Sequence, residues 1–173
     1  MCTYYYMHVH LMQVHYAPAG MTPDEQLDDA ALGAWRAFLT AHALITRRIS
    51  RDLVAEGLPD LGWYDLLWAL RRSPGRRLRV NELAREVVLS PTAMSRFVDR
   101  AVAAGVVARE PDPDDRRAQQ VVLTSEGEAL LRRMWPVYRR GIAEHFAEHL
   151  DGDPGKLSAT LGRMADSARG GGV

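Results

Sequence analysis

The chain has 173 residues, 47% of them hydrophobic, which is enough for one folding unit with a core and too few for two. Its apolar stretches are interrupted well before the roughly 20 residues that a membrane helix requires, which excludes a membrane span. The formal net charge is zero, but residues 71–117 carry 11 basic and 7 acidic side chains, so the positive charge is concentrated in the middle of the chain.

Residues 1–22 are predicted to be a poorly ordered N-terminal appendage, because they match neither a secretory signal nor an organelle address. The single cysteine, Cys2, lies in this segment, so no intrachain disulfide and no cysteine metal cluster can form. We therefore expect a cytoplasmic protein. Residues 169–173 are expected to form a flexible tail.

Two helices are predicted in the first part of the chain. Apolar side chains recur at steps of three and four residues across 24–56, which indicates one long amphipathic helix. Gly57 and Pro59 are expected to end it. A second helix is predicted over 61–70, with Trp68 among its core side chains.

Two shorter helices follow, over 80–87 and 91–104. Ser90 is a good N-cap and Pro91 suits the first helical position, whereas Gly105 is expected to stop the second of these helices. The alternation of residue types along 91–104 predicts one buried apolar face that includes Val102, and an outer face that is polar and basic.

Two β-prone runs at 106–109 and 119–123 flank a polar loop and predict a β-hairpin. A fifth helix over 125–150 is expected to start at Thr124 or Ser125, with Ser125 and Glu128 at capping-box spacing, and to kink or break at Pro136. A last helix is predicted over 156–168. The predicted fold is mainly α with a small β-hairpin: a winged helix-turn-helix domain over 61–123 plus a helical dimerisation region, within one domain over 23–168.

A helix-turn-helix followed by a hairpin suggests DNA binding, because the major groove admits one helix whose N-terminal side chains read base edges. Arg96 could bond guanine through both arms of its guanidinium, and hydroxyl side chains could bond bases or phosphates. In the hairpin loop, Asp115 stands two positions before Arg117 and could orient it towards the minor groove. The candidate hydroxyl side chains on the helix are Ser90, Thr92 and Ser95.

The chain resembles the MarR (multiple antibiotic resistance regulator) family of transcriptional regulators. The resemblance is carried by residues 81–84, 90–100, 105–109, 112–118 and 123–127. It implies that the helix over 90–104 reads the major groove, with Arg100 added to the contacts, and that Arg117 enters the minor groove. It also implies that helices 24–56, 125–150 and 156–168 form a homodimer on a pseudo-palindromic double-stranded operator, usually as a repressor.

Seven ring-bearing side chains on the first, second and fifth helices could line an effector pocket, since members of this family commonly bind small aromatic molecules. The alternative is ordinary core and dimer packing. No cofactor is expected. The pocket candidates are Trp35, Phe38, His42, Trp63, Trp68, Trp135 and Tyr138.

Three other functions compete with this interpretation. His145 and His149 stand one helical turn apart, which is the spacing for two metal ligands and would suit a metal-responsive regulator, but a third ligand is not evident. An enzyme is disfavoured because no nucleophile elbow or phosphate-binding loop stands out. A winged domain used only for protein contact is the third alternative.

Overall fold

The computed structural model describes residues 28–112, 115 and 118–170, which form six α-helices and one three-stranded antiparallel sheet. This architecture confirms the predicted fold class. No helix among the described residues is both long and apolar enough to cross a membrane. The elements are α1 (Asp29–Ala55), α2 (Leu61–Arg72), β1 (Arg77–Arg79), α3 (Val80–Glu86), α4 (Pro91–Ala103), β2 (Val107–Pro111), β3 (Gln119–Leu123), α5 (Ser125–His145) and α6 (Pro154–Gly170).

The two longest helices, α1 and α5, pack against each other. Helix α1 is 27 residues long, but only Ile49 and Leu53, near its C-terminal end, are buried. Gly141 on α5 permits the close approach, because a Cβ atom at that position would lie 2.6 Å from Cγ1 of Ile49. Most of α1 therefore extends beyond the core of the single chain.

The core lies between α2, α4, the sheet and α5. Tyr64 of α2 is buried here, whereas Trp68, which the sequence placed in the core, is partly exposed. Val102, predicted to be buried on α4, is also exposed, because the buried stripe of that helix runs through Met94, Val98 and Ala101. The fully buried side chains include Leu66, Leu67, Leu70, Leu83 and Met94.

The sheet has the order β1-β3-β2, with both pairs antiparallel. Strands β2 and β3 form the predicted hairpin, in which Val107 pairs with Leu123. Strand β1 was not predicted, because a three-residue segment, Arg77–Arg79, is too short to show a periodic pattern. It extends the sheet by pairing Leu78 with Val121.

Helix α5 is continuous through Pro136, so the break considered there does not occur. It ends at His145 rather than near residue 150, and a short 3₁₀ turn follows over Ala147–His149. Its N-cap is Thr124, whose Oγ1 accepts a hydrogen bond from the backbone N–H of Gly127 at 3.1 Å. The capping box at Ser125 is therefore not formed. Residues 24–27 of the predicted first helix lie outside the described residues.

The first turn of α5 sits against the end of α4. Thr124 Oγ1 donates to the carbonyl oxygen of Gly105 at 2.8 Å, and the Thr124 N–H donates to that of Val106 at 3.3 Å. A Cβ atom at Gly127 would lie 2.2 Å from the Val106 carbonyl oxygen. Only glycine allows this close approach.

We expect Gly127→Ala to lower the free energy of unfolding by about 1–3 kcal/mol, because backbone atoms must move to admit the methyl group. Gly33→Ala on α1 is the matched control, since a Cβ atom at Gly33 would have no neighbour within 4 Å among the described residues. That change should raise stability by about 0.5–1 kcal/mol. Urea unfolding of the three proteins measures both values, and equal effects at the two glycines would contradict the packing described here.

Candidate nucleic-acid interface

Helix α4 presents a polar face to solvent at its N-terminal end. Ser90 caps the helix, its Oγ accepting a hydrogen bond from the N–H of Ala93 at 3.2 Å. Thr92 and Arg96 are exposed, and Ser95 is half-buried. The opposite face of α4 packs into the core and fixes the helix in place. The polar face of its first two turns remains accessible to solvent.

The two arginines of α4 differ in their surroundings. The Arg100 guanidinium lies 5.0 Å from the centroid of the Phe97 ring, a cation–π distance. Arg96 makes no hydrogen bond or ion pair with the residues that the structure describes. Its five N–H donors are therefore available to an external acceptor.

The hairpin is attached to α4 by an ion pair. Arg109 of β2 contacts Asp99 of α4, with 2.5 Å between Nη2 and Oδ1. Both side chains are partly exposed, so the pair contributes little to stability. The pair nevertheless connects the exposed side of α4 with the hairpin, so the two elements form one continuous surface.

The base of the hairpin loop is built around Asp112, whose side chain is fully buried. Its Oδ2 accepts hydrogen bonds from Nε of Arg79 at 2.6 Å and from Nε2 of Gln120 at 3.0 Å. Its Oδ1 accepts one from the backbone N–H of Asp115 at 3.2 Å. The hydrogen bond from Arg79 to Asp112 and, next, the negative charge of that carboxylate raise the pKa of Arg79. The loop base is therefore fixed to β1 and β3.

Asp112 and Arg79 were not predicted as site residues, although they fix the base of the loop that carries Asp115 and Arg117. Asp115 is exposed beside the loop base, and Arg117 lies outside the described residues. The proposed orientation of Arg117 by Asp115 stays a prediction. The strand that carries Arg79 is only three residues long, so no sequence pattern indicated it.

The seven candidate pocket residues form three separate groups in the single chain. Trp35, Phe38 and His42 stack along the exposed surface of α1. The Trp63 ring meets the edge of Phe97, with centroids 5.5 Å apart, and this contact belongs to the packing between α2 and α4. The remaining three surround Tyr64, and they are Trp68, Trp135 and Tyr138.

An open cavity of about 490 Å³ lies beside this last group, between α2, α3 and β1. Trp68, Asp65 and Glu86 contribute to its wall. Asp65 is exposed to solvent, but surrounding protein removes part of the water around its carboxylate. This desolvation and, next, the negative charge of Asp60 raise the pKa of Asp65 to about 6. Burial raises the pKa of Tyr138, and the negative charge of Asp65 adds a smaller increase.

The two candidate metal ligands do not form a metal site with other described side chains. His145 lies at the end of α5 and His149 in the following 3₁₀ turn. Among the described residues, no group of three or more His, Cys, Asp or Glu side chains could hold a metal ion. Nε2 of His145 lies 3.9 Å from Oε2 of Glu144.

Two short helices joined by a turn, a polar exposed second helix and an anchored hairpin define a winged helix-turn-helix protein. Residues 56–118 match the family model described as MarR family. The transcriptional regulator HosA of Escherichia coli O111:H- is 32% identical over 113 residues, which cover 64% of this chain and 82% of HosA.

Two solved structures from Streptomyces coelicolor are similar along most of the chain. AbsC, a MarR family transcriptional regulator, is 32% identical with a TM-score of 0.74, and the match covers 84% of this chain and 98% of AbsC. Sco3205, a MarR family transcriptional regulator solved in complex with DNA, is 30% identical with a TM-score of 0.70, covering 89% and 91%. The chain belongs to the MarR family of transcriptional regulators, which confirms the prediction of a regulator rather than an enzyme.

Asp112→Ala is expected to lower the free energy of unfolding by about 1–3 kcal/mol, because it removes a buried acceptor from three donors. It should also speed hydrogen exchange at the Asp115 amide. Asp99→Ala is the control, since that carboxylate also pairs with one arginine but is exposed, and it should cost less than about 1 kcal/mol. If both variants lose the same stability by urea unfolding, the anchoring role of Asp112 is wrong.

Proposed function

We propose that the protein is a sequence-specific double-stranded DNA-binding regulator that represses transcription by occupying its operator. The observation that carries this proposal is the exposed, polar N-terminal half of α4, where Ser90 and Pro91 begin the helix and Arg96 has its guanidinium available. The Sco3205 structure, which contains DNA, supports it. A cytoplasmic location is part of the proposal.

In the proposed complex, α4 enters the major groove with its N-terminal end leading. Arg96 bonds the O6 and N7 acceptors of a guanine, while Thr92 and Ser95 bond bases or phosphates. The partial positive charge at the helix N-terminus attracts a phosphate beside Ser90. Arg100 lies one turn further along and contacts the DNA backbone.

The wing contributes a second set of contacts in this proposal. Asp112 fixes the loop base against β1 and β3, so in this proposal the loop contacts start from a rigid support. Asp115 then orients Arg117 into the narrow minor groove, where the electrostatic potential is most negative. The ion pair between Asp99 and Arg109 keeps the wing and α4 in register with each other.

A homodimer is the second part of the proposal. Helix α6 has no buried residue in the single chain, although Leu157, Leu161 and Met164 lie along one of its sides. Met164 is 62% exposed, and Trp35 on α1 is 47% exposed. Apolar side chains on these long helices need a partner, and a two-fold dimer would place two copies of α4 on a pseudo-palindromic operator.

Release from DNA by a small aromatic effector is the third part. The position of Trp68 supports release by such an effector, because its ring stacks on Tyr64 and also lines the open cavity. Since α3 forms another wall, an occupant would contact the helix-turn-helix directly. Such a ligand releases DNA only if it binds the released conformation more tightly than the DNA-bound one.

Arg96→Ala is expected to reduce affinity for an enriched operator by about 5- to 100-fold, because one bidentate base contact is lost. Binding to unrelated duplexes should weaken far less. The measurement is fluorescence anisotropy with a duplex selected by the wild-type protein from a random library, at two salt concentrations. Wild-type affinity should fall steeply as salt rises, because bound phosphates release counterions.

Arg139→Ala serves as the matched control for that experiment, since Arg139 is an exposed arginine of α5 outside the winged helix-turn-helix. It should leave the preference for the operator intact. A wild-type protein that enriches no sequence, with salt-independent interactions, would contradict the proposal and favour a winged domain that contacts protein.

Leu161→Glu should convert the dimer into a monomer, because a charge is placed in the middle of the apolar side of α6. Ala159→Glu introduces the same charge on the opposite side of that helix and should leave the dimer intact. Sedimentation equilibrium gives the mass of each variant. A dimer that survives Leu161→Glu would remove α6 from the proposed interface.

A further inference from the structure

The turn between α3 and α4 contains a valine with left-handed backbone conformation. Val88 has φ +57°, and its side chain is 82% exposed. The turn closes through a hydrogen bond from the Leu89 N–H to the Ala84 carbonyl oxygen at 2.8 Å. This bond requires the residue before its donor to be left-handed.

Two other helices in the described part of the chain end with the same bond, and both use glycine. The Leu58 N–H donates to Leu53 at 3.0 Å after Gly57, which has φ +73°. The Val106 N–H donates to Ala101 at 3.1 Å after Gly105, which also has φ +73°. Val88 thus occupies the equivalent position, where a β-branched side chain is strained.

Within the described residues, burial of the Val88 side chain does not offset this strain. A valine that is 82% exposed gains little stability from burial of its side chain. Strained backbone of this kind concentrates at binding sites. Val88 stands two residues before Ser90, the N-cap of the helix proposed to enter the major groove.

We propose that Val88 is a specificity-determining DNA contact whose methyl groups pack against the 5-methyl group of a thymine at the edge of the major groove. This inference rests on the proposed function. The chemistry favours thymine because its methyl group is the apolar feature that bases present in that groove. The valine is exposed two residues before Ser90, near the start of the helix that carries Thr92 and Arg96.

The test uses Val88→Gly and Val88→Asn, which both relieve the left-handed strain and remove the methyl pair. Each variant should melt about 2–4 °C above the wild type. Each should also bind the selected operator about 5- to 10-fold more weakly. Val88→Thr keeps the branched shape and replaces one methyl by a hydroxyl, so its operator affinity should fall without a gain in melting temperature.

Replacing thymine by uracil in the operator, one position of each half-site at a time, identifies the partner. At one position the wild type should lose about fourfold in affinity for each methyl contact, whereas Val88→Gly should be insensitive. Unchanged affinity in the Gly and Asn variants overturns the inference. A loss of affinity that no uracil position reproduces overturns the thymine contact.

These outcomes are distinguishable from failure of the proposed function. If the wild type enriches an operator and Arg96→Ala loses it, the DNA-binding proposal stands whatever Val88 does. If the wild type enriches no sequence, both proposals fail together.

Discussion

The structure depends on the junction at which α5 begins, because hydrogen bonds there connect this helix to the end of α4 and the start of β2. Thr124 bonds the carbonyl oxygens at the end of α4 and the start of β2, while Gly127 allows the helix backbone to approach Val106. Without a side chain at Gly127, three elements meet at van der Waals distance. The end of α4 is therefore tied to the first turn of α5.

This coupling gives the proposed regulator a simple physical means of response. Helix α5 runs without interruption from the junction to His145, so α5 and the end of α4 are joined in one structural unit. In the proposed dimer, two such units set the distance between the recognition helices. An occupant of the cavity between α2 and α3 would act close to the same unit, where small displacements alter the spacing that DNA requires.

Local chemistry made much of the fold predictable from the sequence. Ser90 and Pro91 specify a helix start, and Gly57 and Gly105 specify helix ends, because each acts on its own backbone. Contacts between distant residues were not predictable: Arg79 and Asp112 are 33 positions apart, and β1 exists only through pairing with β3. The aromatic candidates lie in three separate groups in the single chain for the same reason, since helical spacing predicts a face but not the element that packs against it.

The buried anchor at Asp112 also determines when the wing loses its conformational freedom. The hydrogen bonds that its carboxylate accepts from Arg79, Gln120 and Asp115 form within the chain, so the entropy of ordering the loop base is lost during folding rather than during association. A partner then meets a preorganised surface at this point, and more of the contact energy appears as affinity. In the proposed complex, the Asp112 carboxylate thus links the stability of the three-stranded sheet to the affinity for DNA.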